Sequence, residues 1–320
     1  MAQSIFNKEE LTIGISACLV GEKVRYDSSN KPSNFCIHEL GKYVTYKAFC
    51  PEVAIGLPIP RATIRQIKQG DMITVARPDG SGDVTEPLKE YGKKIAKLTH
   101  SMVGYVFCAK SPTCGMERVK VYSPEGNSLE SDGVGVFAEE IMKANPLLPC
   151  EENGRLNDPI IRENFVARIY TYKRWHQLVE SGITKHKLMT FHSQHKYSVM
   201  SHNIVAYKAL GRLLADGQMD VETMAEQYIT GLMDALKIKA TRKSHTNTLQ
   251  HIQGYFSDEL TPEQRKELTT TIDDYRKGVM PLMVPLTLIK HYLLQYPKEY
   301  LAQQTYLDPY PADLKLRYGY

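Results

Sequence analysis

The sequence predicts an α/β N-terminal domain with a small, mainly parallel sheet, followed by an all-α C-terminal domain. Three observations carry that expectation. Short β-rich runs alternate with helical stretches through the first half, the order that builds a parallel sheet. A polar, turn-rich segment, CEENGRLND at 150–158, interrupts the chain. Beyond it, apolar residues recur at three- and four-residue intervals almost throughout. The expected domains are 1–152 and 153–320.

In the first half, LTIGISACLV (11–20) reads as a strand ending at Cys18, with Gly21 as a turn. EPLKEYGKKIAKLTH (86–100) has helical spacing, with Leu88, Tyr91, Ile95 and Leu98 on one side. MVGYVFCAK (102–110) is an uninterrupted apolar run, as expected of a strand buried on both faces. It ends in the Pro/Gly-punctuated turn SPTCG. In such sheets ligands sit outside the carboxyl ends of the strands, where Cys18 and Cys114 fall.

In the second half, residues 164–180, 198–215 and 221–237 each read as a helix. Thr261 fits an N-cap with Pro262 in the first turn. Residues 281–296 supply a last apolar helix, starting near Pro285. Tyr170 and Trp175 read as core.

The 320 residues carry a net charge of +4. With a pI of about 8.5, the chain is basic, yet below the level that marks a nucleic-acid binder by itself. No apolar run approaches the roughly 18 residues that span a bilayer, so no membrane partner is expected. The start MAQSIFNKEELT lacks the pattern of a secretory signal, so the expected location is cytoplasmic. GxGxxG and GxxxxGK[ST] are both absent, which argues against an ATP-dependent enzyme.

Six cysteines occur, none beyond Cys150. In a reducing compartment metal or catalytic roles outrank disulfides. Cys18, Cys50 and Cys114 stand in turn-like contexts, 32 and 64 residues apart. Those gaps are too wide for a ribbon-type zinc site and suit a site assembled from three loops. Three thiolates can hold a four-iron cluster with one iron open. Spacing alone also allows zinc, a three-iron cluster or scattered structural thiols. Cys36, Cys108 and Cys150 read as non-ligands, Cys108 because it lies within the apolar run.

ISACLVGEKVRYDSSNK (15–31), FCPEVAIGLPIPR (49–61) and AKSPTCGMERVKVY (109–122) follow one another in an order and spacing that resembles the DUF523 family, which includes the thiouracil desulfidases. The remainder resembles the DUF1722 domain, and the fusion is similar to bacterial tRNA 4-thiouridine desulfidases. The resemblance implies a [4Fe-4S] cluster held by Cys18, Cys50 and Cys114. It implies proton handling and catalysis by Glu52 and Ser111, and thiolated tRNA as substrate. Two departures stand out. Ile64, Arg65 and Gln66 follow the PR of GLPIPR where an acidic residue is expected, and Ser28 stands where glycine is usual.

Arg25, Tyr26 and Asp27 read either as a substrate-facing patch or as a structural salt bridge, and Arg61 has the same two readings, with a loop anchor favoured. His186, His192, His195 and His202 can share a helix face, where a metal site or a contact with phosphate or bases is open, but without a carboxylate motif they read first as hydrogen-bonded or solvated. Lys237, Lys239, Arg242 and Lys243 place four bases within seven residues and read as RNA contacts. Rival readings are a desulfidase of free thiouracil, a non-enzymatic metal-containing RNA-binding protein, and a structural zinc protein. Monomer and homodimer both remain open.

Overall fold

The computed structural model describes residues 7–317. They form two compact units that meet in sequence at Asp158–Pro159.

The first unit is organised by four parallel strands. These are β1 (Thr12–Ser16), β2 (Thr45–Phe49), β5 (Gly104–Phe107) and β8 (Cys150–Glu152), in the order β2-β1-β5-β8. All four residues of β5 are buried, as its uninterrupted apolar sequence requires. Gly14 in β1 lets Tyr105 of β5 lie against the strand, since a Cβ there would stand 2.3 Å from the Tyr105 ring. The ring in turn stacks on Phe107 with centroids 4.2 Å apart.

A second four-stranded sheet, which the sequence reading does not foresee, joins β3 (Arg65–Gln69), β4 (Met72–Ala76), β6 (Val119–Tyr122) and β7 (Ser128–Gly133) in the order β4-β3-β6-β7. Only its β3–β6 pair is parallel. The helices are the single turn α1 (Pro51–Ala54), α2 (Thr85–Leu98) and α3 (Val136–Ala144). Helices α2 and α3 approach closely at Gly92, where a Cβ would meet Glu140 at 2.9 Å.

The structure corrects three sequence-based boundaries. Strand β1 ends at Ser16, and Cys18 lies in the following 3-10 turn, Ala17–Val20. Cys108 lies just beyond β5 instead of within it. Segment 150–158, read as a linker, belongs to the first unit. Its Glu152 is buried yet accepts Met116 N–H at 2.9 Å, and Arg155 bridges Glu151 at 2.6 Å and Glu117 at 2.8 Å. Buried carboxylates are tolerated when they are paired in this way.

The second unit is helical: α4 (Pro159–Glu180), α5 (Lys185–His202), α6 (Ile204–Leu214), α7 (Val221–Lys237), α8 (Arg242–Gln253), α9 (Pro262–Lys277), α10 (Met283–Gln295) and the single turn α11 (Glu299–Ala302). Side-chain caps set the helix starts. Thr184, Asn203, Asp220, Thr241 and Thr261 each accept a first-turn N–H. Residues 198–215, read as one helix, break at Asn203, which ends α5 and caps α6. A side-chain oxygen able to cap a new start overrides apolar periodicity there. Tyr170 and Trp175 are buried, as expected. A core of Tyr197, Met200, Leu249, Phe256, Leu286 and Tyr292 among others links α5, α8, α9 and α10. Among the described residues no helix is long and apolar enough to cross a membrane.

Candidate active site

The carboxyl ends of three adjacent parallel strands each deliver a cysteine. Cys50 follows β2 directly, Cys18 follows β1 by one residue, and Cys108 follows β5 directly. Cys114 reaches the same place from the loop beyond β5. All four line one cavity of about 340 Å³. Cys36 and Cys150 do not line it, and none of the six cysteines forms a disulfide.

Glu52 sits in α1, two residues after Cys50, and reaches the cavity between two partners. One carboxylate oxygen accepts from Arg61 Nε at 2.9 Å and Nη2 at 2.6 Å. The other accepts the Thr113 hydroxyl at 2.7 Å. Thr113 Oγ1 and Ser111 Oγ are 2.8 Å apart. A continuous chain, Ser111–Thr113–Glu52–Arg61, thus runs along the cavity, and its Thr113 link escaped the sequence reading. The Thr113 hydroxyl gives no signal in sequence because it matters only through a partner 61 positions away. Arg61 also donates to Val24 O at 2.8 Å, so it anchors its loop as expected.

The SPTCG loop is held from three sides. The Pro112 and Thr113 carbonyls accept N–H groups of Val136, Phe137 and Ala138, capping the start of α3. Gln66 in β3 donates to Pro112 O at 3.1 Å and to Val134 O at 2.6 Å. This gives the departure at Gln66 a structural role, because an ionised carboxylate could not donate. Ser111 Oγ accepts Cys114 N–H at 3.1 Å. The second departure, Ser28, has φ of 61°, the left-handed region in which glycine is at ease.

Burial pushes the Cys50 thiol up, and it pushes the Cys114 thiol well above the usual range. The neighbouring Cys18 and Cys108 thiols perturb each other, raising Cys18 and lowering Cys108, with Lys31 and Arg25 adding to the second effect. Cys108 is therefore not the inert strand thiol that the apolar run implies. It is a fourth sulfur at the cavity, visible only once β5 is seen to stop at Phe107. Apart from Glu52 the charged lining is basic: Arg25, Lys31, Arg61 and Lys110.

Two of the four basic residues read as RNA contacts have partners within the helical unit. Lys237 pairs with Asp234 at 2.8 Å. Arg242 donates to Tyr275 O at 3.0 Å and lies over the Tyr275 ring. Lys239 and Lys243 are exposed. The helical-half histidines are mostly taken up internally: His192 meets the Tyr228 hydroxyl at 3.2 Å, His195 donates to Phe191 O, and His202 to Ile238 O.

A family model for 2-thiouracil desulfurase matches residues 13–153, and one described as a protein of unknown function, DUF1722, matches residues 196–311. The uncharacterized protein YbgA of Escherichia coli (strain K12) is 34% identical over 159 residues, covering 49% of this chain and 94% of YbgA. Among solved structures, the [4Fe-4S]-dependent thiouracil desulfidase TudS is similar at 26% identity, covering 46% of this chain and 94% of its own, with a TM-score of 0.36. The chain belongs to the family that includes YbgA, and it joins a 2-thiouracil desulfurase (DUF523) domain to a DUF1722 domain.

Proposed function

We propose that this protein replaces sulfur by oxygen in thiolated uracil, with 4-thiouridine in tRNA as the substrate. The observation that carries the reading is the meeting, in one cavity, of Cys18, Cys50 and Cys114 with the Ser111–Thr113–Glu52 chain. The donor set is soft, as a sulfur-tolerant metal group requires. Among the described residues no three Cys, His, Asp or Glu side chains gather as a single metal ion needs. Three thiolates can hold a [4Fe-4S] cluster and leave one iron open. Cys18, Cys50 and Cys114 would hold it. When bound, such a cluster supplies a Lewis-acidic iron with affinity for the thiocarbonyl sulfur.

The rest of the chemistry falls to side chains. The reaction exchanges C=S and water for C=O and hydrogen sulfide, with no net electron transfer. Glu52 takes a proton from the attacking water, and Arg61 keeps its carboxylate aimed. Thr113 and Ser111 carry a proton along their hydroxyls toward the departing sulfur or the ring. Arg25, Lys31 and Lys110 give the cavity a positive lining suited to a nucleotide. A thiolated base inside folded RNA must be turned outward at a cost of about a few kcal/mol, and backbone contacts must offset it. The DUF1722 unit supplies those contacts in this reading, acting from the cytoplasm on tRNA.

Anaerobic reconstitution followed by sulfide release from 4-thiouridine-containing tRNA tests the proposal. The parent releases sulfide, Cys50→Ala loses iron and activity together, and Glu52→Gln keeps iron but loses about 10²–10⁴-fold in rate. Release from free thiouracil alone would move the substrate to the free base. An iron-loaded parent silent on both substrates would remove the desulfidase reading.

A further inference from the structure

The helical unit contains a cavity that this chemistry leaves unused. It is a cleft of about 620 Å³ formed by α5, α6 and α11, within the range of about 300–1,000 Å³ common for ligand pockets. Lys196 of α5 lines it, with Lys208 and Arg212 one turn apart on α6. Among the described residues no carboxylate lines the cleft. By contrast, Lys237 and Lys290 of the same unit are each paired with an aspartate. Uncompensated positive charge in a concave site concentrates anions.

The walls add flat apolar surface. Tyr207 and Tyr300 both line the cleft. Tyr300 stacks on Tyr255 with centroids 5.5 Å apart, and Lys196 Nζ lies 5.0 Å from the Tyr300 centroid. Ring and ammonium are thus held together in one wall. Along α6, Tyr207 and Gly211 occupy successive turns, and a Cβ built at Gly211 would meet nothing within 4 Å. The missing side chain leaves the cleft open beside the ring.

We infer that this cleft seats one nucleotide of an RNA strand, its phosphate against Lys196, Lys208 and Arg212 and its base against a tyrosine ring. An acidic peptide would use the cations but offer no flat partner for the rings, whereas a nucleotide engages both. The inference rests on the reading that the substrate is thiolated RNA, and it moves the RNA contact away from residues 237–243 to a built site.

The test is a salt series of fluorescence-anisotropy titrations, with labelled tRNA transcript and the reconstituted full chain. Two variants are compared with the parent: Lys208→Gln/Arg212→Gln, and Gly211→Leu, which fills the cleft where the fold has room. Both bind at least tenfold more weakly and raise KM for thiolated tRNA, while turnover of free 4-thiouridine stays at the parent level. The charge variant also flattens the slope of log affinity against log salt by about 0.7–0.9, the share of one phosphate. Parent-like affinity and slope in both variants overturn the inference and leave the desulfidase reading standing. Loss of AMP binding with unchanged tRNA affinity makes this a free-nucleotide site, and also overturns it. A parent that neither binds tRNA nor releases sulfide from it removes both this inference and thiolated RNA as the substrate.

Discussion

Thr113 is fully buried and has only short hydrogen bonds to spend its hydroxyl on: Glu52 on one side at 2.7 Å and Ser111 on the other at 2.8 Å. A hydroxyl can donate to one oxygen while accepting from another, which makes it a link in a proton chain and not a mere spacer. Thr113→Val keeps the shape and removes the link. The expected result is kcat about fivefold lower, the scale of one hydrogen bond of ~1 kcal/mol, with KM and iron content unchanged. Thr113→Ser restores most of the rate because the hydroxyl returns. Equal activity in the valine and serine variants would show that Ser111 and Glu52 act independently. At this scale the sequence was informative about residues that carry a motif, such as Cys18, Cys50, Glu52 and Cys114. It was silent on Thr113 and Cys108, whose roles come from contacts across the fold: Thr113 with Glu52, and Cys108 with Cys18.

At the scale of elements, the SPTCG loop owes its position to the start of α3. Gly135 donates to Gly115 O at 2.7 Å, and a Cβ on Gly135 would stand 2.5 Å from the Thr113 carbonyl. Since that neighbour is backbone, it cannot swing aside. Gly135→Ala must therefore displace either α3 or the loop, costing about 1–3 kcal/mol as overpacking does. Because the loop also carries Ser111, Thr113 and Cys114, the variant loses iron retention and rate together, measured as iron per chain and sulfide release. A variant with a lowered melting temperature but normal iron and rate would show that α3 gives way and the loop does not. The parallel sheet was legible because strands buried on both faces are written as unbroken apolar runs. The second sheet was not. Its strands β3 and β7 read RQIKQ and SLESDG, mostly polar residues that hide the alternation. Asn203 shows the same limit in the helical unit, since a capping side chain inside an apolar-periodic stretch reads as one helix until its hydrogen bonds are seen.

At the scale of the whole molecule, the two units bury separate cores and can respond differently to conditions, and acid is the condition that separates them. His192 and His195 are held neutral in α5. Burial depresses His192 to about 4, helped by the Lys196 charge, and His195 to about 3, helped by Arg174. His195 donates its Nδ1 proton to Phe191 O, and its Nε2 has no hydrogen-bond partner to welcome a second one. In the unfolded chain both rings take up protons below about 6.5. The unfolded state therefore binds more protons across the window from about 6.5 down to 4, and stability falls as pH falls through it. Above 6.5 the two rings contribute no pH dependence. By pH 5 the loss amounts to about 2 kcal/mol per histidine. The single tryptophan, Trp175, reports on this unit alone, because its ring packs on Phe191 at 5.5 Å and on Tyr228 at 6.2 Å, beside the same two histidines. Urea unfolding followed by Trp175 fluorescence should show a midpoint clearly lower at pH 5.0 than at 7.5. Burial also depresses His176, His202 and His245 of this unit, so His195→Gln should remove only its own share, about 2 kcal/mol, since glutamine cannot take up the proton. A midpoint that holds steady or rises on acidification would mean that the rings reach water in the folded state and titrate there as freely as in the unfolded chain.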